Sequence, residues 1–159
     1  MLSYAAFNIF LLLPTKLMFS FQPSVSVGNV GQLATDVILA SLKPQLVTSI
    51  FHEAILPVVG LDPLNMESEQ LMTACQLYKT ESVAILQIRS GIVPNKREEF
   101  LNDLAKWIKL HKFAKVILLT STSSEERLDI QIRGSPFRFL SKDFHDQLQW
   151  VLWIINWPL

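Results

Sequence analysis

The stretch PSVSVGNVGQLATD at residues 23–36 constrains this chain more than any other, because it prescribes a strand, a tight turn and a helix in immediate succession. Val25 and Val27 alternate with Ser24 and Ser26, the two-residue period of a half-buried strand. Gly28 supplies a backbone free to take positive φ where the chain must turn. Asn29 stands at the N-cap position, and Gln32, three residues on, is spaced to reach back to its amide in a variant of the capping box. Val30, Leu33, Ala34, Val37, Ile38 and Ser41 then fall on one face at helical spacing, the apolar stripe of an amphipathic helix, and Lys43-Pro44 ends it.

Strands and helices continue to alternate beyond this point. The first strand is expected over about 16–27 and the first helix over about 30–42. Leu46 to His52 reads as a short second strand, followed by a loop containing Pro57, and residues 60–68 (GLDPLNMES) are turn chemistry punctuated by Asp62-Pro63 and Asn65. Leu71 to Tyr78 alternates weakly and is placed to form a hairpin with Val83 to Ile88 through Thr80-Glu81-Ser82. The second helix is predicted from Pro94 to Lys112. Pro94 suits the first turn, Glu98, Glu99 and Asp103 populate the early half, and Lys106, Lys109 and Lys112 the end, which complements the helix dipole. Phe100, Leu101, Leu104, Trp107, Ile108 and His111 form its expected buried stripe, and Val116 to Leu119 reads as a fully buried strand. The order implies one α/β domain, a layered sheet flanked by helices.

Half of the 159 residues are apolar and 18% are charged, which excludes a disordered chain and leaves enough material for a core. Fourteen acids balance fourteen bases, so there is no electrostatic footprint for nucleic acid or an acidic membrane surface. Cys75 is the only cysteine; no internal disulfide forms, and an inert core thiol is expected. The apolar run Phe7 to Pro14 has the look of a secretory signal, but no basic residue precedes it, and Pro14 and Lys16 interrupt it short of the ~20 residues that cross a bilayer. Residues 149–159 (QWVLWIINWPL) hold three of the four tryptophans and no charge, an apolar tail that is an aggregation liability if left bare.

Candidate chemistry is sparse. Gly28-Asn29-Val30-Gly31 lies where helix amides bind phosphate, yet it lacks the Lys-Ser/Thr of a P-loop and the third glycine of a dinucleotide fingerprint. A turn that brings the helix close to the sheet is the preferred account. His52 and Glu53, as strand neighbours, would point to opposite faces, and His111 and His145 are isolated, so no metal is expected. Thr120 to Ser124 is expected as a polar loop, with Glu125 and Glu126 set against an anion. In Arg133-Gly134-Ser135-Pro136-Phe137-Arg138-Phe139, arginines and aromatics, the residue types that carry interface energy, surround a turn.

Several of these segments together resemble the proteasome assembly chaperone family: VSVGNVGQLA, Leu56-Pro57-Val58-Val59-Gly60, VAILQIRS at 83–90, KVILLTS at 115–121 and DIQIRGSPFRFL at 129–140, in that order over about 21–148. The resemblance implies an α/β fold similar to that of nucleoside phosphorylases, with the C-terminal part of the domain missing here. It divides the chain into a variable apolar lead (1–22), a single partial chaperone domain (23–148) and a divergent apolar tail (149–159). It further implies a non-catalytic chaperone, without cofactor, that forms a heterodimer with proteasome assembly chaperone 1 and promotes assembly of the 20S proteasome α ring from α subunits. Cytoplasm and nucleus are the implied compartments. Candidate partner-interface residues in the matched segments are Asn29, Gln32, Arg89, Arg133, Phe137 and Arg138. The alternative function is a nucleoside- or phosphate-binding enzyme of related fold, resting on the Gly28–Gly31 turn and the Ser/Thr loop.

Overall fold

The structure is a computed structural model that describes residues 18–21, 27–62, 71–123, 137–143 and 149–157, with side chains described over 28–62 and 71–121. Its centre is a seven-stranded mixed sheet in the order β2-β5-β6-β1-β7-β9-β8. The strands are β1 (Met18–Phe21), β2 (Gln45–Ser49), β5 (Cys75–Lys79), β6 (Val83–Ile88), β7 (Lys115–Ser123), β8 (Phe137–Asp143) and β9 (Gln149–Trp157). β1 pairs in parallel with β6 on one side and β7 on the other, and β7 pairs in parallel with β9. The expected hairpin is present over part of its span: β5 and β6 are antiparallel, with Leu77 opposite Leu86, whereas Leu71–Thr73, expected in its first strand, pairs with Val59–Leu61 instead. Thus Met18–Phe21, near the end of the apolar lead, occupies the middle of the sheet, and Gln149–Trp157, most of the apolar tail, is one of its strands.

Helix α1 (Val30–Leu42) matches the expected span, but its start and its rotation differ from expectation. One 3₁₀ turn, Val27–Asn29, precedes it, and in that turn Gly28 (φ 64°) and Asn29 (φ 55°) are both left-handed. The capping box does not form. A side-chain N-cap needs extended backbone at the cap residue, and left-handed Asn29 makes no such bond. Gln32 instead donates its amide to the Arg89 carbonyl oxygen at 3.2 Å. At the other end, left-handed Lys43 closes the helix with its N–H on the Leu39 carbonyl at 2.9 Å.

The buried line of α1 is Gly31, Thr35 and Leu39, spaced i, i+4, i+8. Gly31 is buried in the first turn, and the Thr35 hydroxyl satisfies itself on the Gly31 carbonyl at 2.9 Å. Leu33 and Val37, expected in the apolar stripe, are instead 59% and 65% exposed. Asp36 accounts for this rotation: it must reach Gln87 and Arg89 on β6 and just beyond, and turning toward them swings the aliphatic stripe outward.

Helix α2 (Arg97–Leu110) follows a 3₁₀ turn at Pro94–Lys96 and covers the opposite face of the sheet. Phe100, Leu104, Trp107 and Ile108 pack there with Cys75, Leu77, Ala84, Leu86, Ile88 and Val116 to form the core. Leu101 is half-exposed rather than buried, because it lies to one side of the Phe100–Leu104–Ile108 line. His111 is half-buried, its ring 4.6 Å from that of Trp107. Of the strand read as fully buried, only Val116 is so; Ile117 to Leu119 are half-buried. Thr120 to Ser123 continue as strand β7 rather than forming a loop, and Ser121 is buried. Val59 to Leu61, expected in and next to a turn, forms strand β3, which pairs with β4 (Leu71–Thr73) in a separate two-stranded ribbon.

Candidate interaction surface

The two sides of the sheet meet solvent differently. On α2 the outward residues include Arg97, Glu98, Glu99, Lys106 and Lys109, all exposed, and Lys106 pairs with Asp103 at 3.2 Å. This is an ordinary solvated helix face. On α1 the only charged residue is Asp36, and it is turned inward. Its outward line is Val30, Leu33, Val37 and Ala40, spaced 3-4-3.

The β3–β4 ribbon lies beside α1. Val59 stands opposite Thr73, Gly60 opposite Met72 and Leu61 opposite Leu71. Directly opposed residues share a face, so the buried Met72 fixes the inward side and leaves Val59, Leu61 and Leu71 outward. All three are more than half exposed. A cleft of about 500 Å³ separates helix from ribbon, lined by Leu39, Lys43, Asp62, Met72 and Tyr78 among others.

A polar network holds α1 in its rotation. Asp36 Oδ1 accepts from Gln87 Nε2 at 2.5 Å and from the Arg89 guanidinium at 2.7 Å. Gln87 is 1% exposed, so its amide depends on that carboxylate. Across the hairpin, Gln76 faces Gln87 and accepts from the Tyr78 hydroxyl at 2.9 Å. Burial pushes the Tyr78 phenol up to about 12, with the neighbouring Arg89 opposing the shift.

The loop after β2 is also tied down. The Ser90 hydroxyl donates to the Leu56 carbonyl at 2.7 Å, and the Val93 N–H to the Ala54 carbonyl at 2.8 Å. His52 Nδ1 accepts the Ala54 N–H at 3.0 Å, which leaves the neutral ring's proton on Nε2, 3.9 Å from Asp103 Oδ2. His52 and Glu53 do point apart, through a turn and not a strand: His52 is buried, whereas Glu53 is exposed and paired with Lys96, which holds its carboxyl below the usual range. Among the described residues no group of three or more His, Cys, Asp and Glu gathers as a metal site, and no helix is long and apolar enough to cross a membrane.

Of the six residues singled out from sequence, the structure brings Gln32 and Arg89 together in the α1–β6 contact. Asn29 is exposed at the head of α1. Phe137 and Arg138 open β8, with side chains outside the described residues, and Arg133 lies outside them altogether. Missed from sequence were Asp36 and Gln87, which lock the helix, and the outward aliphatics of α1 and the ribbon. One signal was available: a thirteen-residue helix with a single charge cannot present an ordinary solvated face.

Comparison with known proteins places this arrangement. The sequence profile of the PAC2 family matches residues 20–156. The chain is 40% identical over 123 residues to the Xenopus tropicalis protein named Proteasome assembly chaperone 2, covering 74% of this chain and 47% of that protein. To the human protein of the same name it is 34% identical over 141 residues, covering 85% and 53%. It therefore spans about half the length of the curated relatives it matches. Among solved structures, Pyrococcus furiosus PbaA, described as an archaeal homolog of proteasome-assembly chaperone, superimposes with a TM-score of 0.64 at 13% identity, over 92% of this chain and 75% of that one. With the profile spanning both the central parallel strands and α1, the chain belongs to the PAC2 family.

Proposed function

We propose that this chain acts in proteasome assembly as a non-catalytic chaperone, pairing with proteasome assembly chaperone 1 and favouring correct formation of the 20S α ring over off-pathway ring dimers, in the cytoplasm and nucleus. The observation that carries this reading is the 34–40% identity to proteins named Proteasome assembly chaperone 2 within a PAC2 match over residues 20–156. Exposed aliphatic side chains on α1 and on the β3–β4 ribbon of a folded α/β domain suit a protein that works by surface complementarity and turns over no substrate. The test is reconstitution. Proteasome α subunits are assembled with chaperone 1 alone and with chaperone 1 plus this chain, and the products are resolved on native gels. A shift from ring dimers toward single α rings when the chain is added is the expected result. Identical products with and without it overturn the proposal.

A further inference from the structure

The outward faces of α1 and of the β3–β4 ribbon are both aliphatic, and Lys43 and Asp62 line the cleft between the two elements. Leu33 and Val37 stand in line with Val30 and Ala40 at the 3-4-3 spacing against which a second helix packs. The ribbon that carries outward Val59, Leu61 and Leu71 meets the C-terminal end of α1 across a cleft lined by Leu39, Ala40 and Lys43 on the helix side and by Asp62 and Met72 on the ribbon side. Five large aliphatic side chains at these exposures offer on the order of 500 Å² of apolar surface, the upper range for a monomer; with a polar rim added, this approaches the ~800 Å² that one partner gives to a stable interface. The surface is also pre-organised, since Asp36, Gln87 and Arg89 fix the helix before anything binds.

Charge decides what covers it. A contact made and released with a client is comparatively polar, whereas interfaces that stay closed resemble a domain core cut in half. α1 offers no outward charge, while α2 on the opposite side sets exposed Arg97, Glu98, Glu99, Lys106 and Lys109 around its exposed Leu101 and Leu110. A bare aliphatic side between rounds of assembly would aggregate. From this asymmetry we infer that α1 and the β3–β4 ribbon form the face on which the chain pairs permanently with its partner chaperone, a helix of that partner seating against Leu33 and Val37. The α subunits then meet other surface. The inference rests on the function proposed above and specifies its pairing face.

The test compares the wild-type chain with Leu33→Glu/Val37→Glu, with Leu61→Lys/Leu71→Lys on the ribbon, and with Leu110→Glu on α2 as the control. Each is co-expressed with proteasome assembly chaperone 1, and complexes are read by size exclusion and native mass spectrometry. Wild type and Leu110→Glu give a one-to-one complex, and both double variants weaken it by about 100-fold or more. Circular-dichroism melts of the purified chains separate lost pairing from lost fold; if the helix variant does not fold, the ribbon variant carries the decision. Full pairing by the folded double variants overturns the inference and leaves the proposed function standing. So does a wild-type homodimer that the variants dissolve while each still pairs with chaperone 1. Absence of pairing by the wild-type chain overturns the proposed function, and the inference with it.

Discussion

At the scale of single residues, two buried groups link this fold to alkaline pH. Cys75 is fully buried beneath α2, and burial alone pushes its thiol from an ordinary 9.0 up to about 12. Tyr78, half-buried under the α1 side, moves from 10.0 to about 12 for the same main reason. In each case the folded chain keeps a proton that the unfolded chain gives up earlier. Stability is therefore whole below about pH 9 and falls as pH rises toward 12, because the native state binds more protons through that window. The unfolding free energy from urea titrations should be nearly flat from pH 7 to 8.5 and then decline, with a slope approaching ~1.4 kcal/mol per pH unit for each group ionising in the unfolded state. Cys75→Ala should remove the part of the decline that begins near pH 9, leaving the later part to Tyr78. A Cys75→Ala chain whose stability follows the wild-type pH curve would show that the thiol's burial is not the source.

At the scale of elements, α1 is held in an orientation that its own hydrophobic pattern does not choose. Its rotation depends on Asp36 meeting Gln87 and Arg89, residues 51 and 53 positions away in sequence. Removing the carboxylate strands the amide of Gln87 in a site 1% exposed, and leaving a buried donor unpartnered costs about 1–3 kcal/mol. Asp36→Ala should lower the unfolding free energy by that amount in urea titrations. Asp36→Ala/Gln87→Met, which removes the stranded amide and leaves only the partly exposed Arg89 guanidinium without its carboxylate, should recover the part due to Gln87. A double variant no more stable than Asp36→Ala would mean that the pair does not set the helix. The same dependence explains what was legible in advance. The span of α1 could be read, since Gly28 and Lys43-Pro44 punctuate the chain locally, whereas α2 begins three residues after Pro94, beyond a 3₁₀ turn, and ends at Leu110 and not Lys112. The Phe100–Leu104–Ile108 stripe was legible too, its period uninterrupted. The facing of α1 was not, because a distant glutamine and arginine decide it; Leu33 and Val37 were accordingly placed on the wrong side. The ribbon hid for a different reason: two strands of three residues carry too little alternation to outweigh Gly60 and the turn residues after it. Of the site, Gln32 and Arg89 were legible as interface candidates, whereas Asp36, which the Arg89 guanidinium meets, carries no local signal of that contact.

At the scale of the whole molecule, the sheet is strong in the middle and light at the margin that the partner would cover. β6 is hydrogen-bonded on both sides, to β5 and β1, and five of its six residues are buried. The β3–β4 ribbon has three residues per strand, pairs only with itself and exposes β3 throughout. Isolated two-stranded ribbons are marginal in water, and amides protected by few buried contacts exchange through local opening rather than global unfolding. Hydrogen exchange followed by mass spectrometry on the free chain should therefore rank β6 slowest and the ribbon fastest, with α1 between them because Gly31, Thr35 and Leu39 anchor one face only. On the pairing inferred above, adding proteasome assembly chaperone 1 should slow exchange in the ribbon and α1 together, while the outward turns of α2 stay as they were. A partner that protects α2 and leaves the ribbon fast would place the pairing on the charged side. The aliphatic side would then lie open in the complex, which is the arrangement its composition argues against.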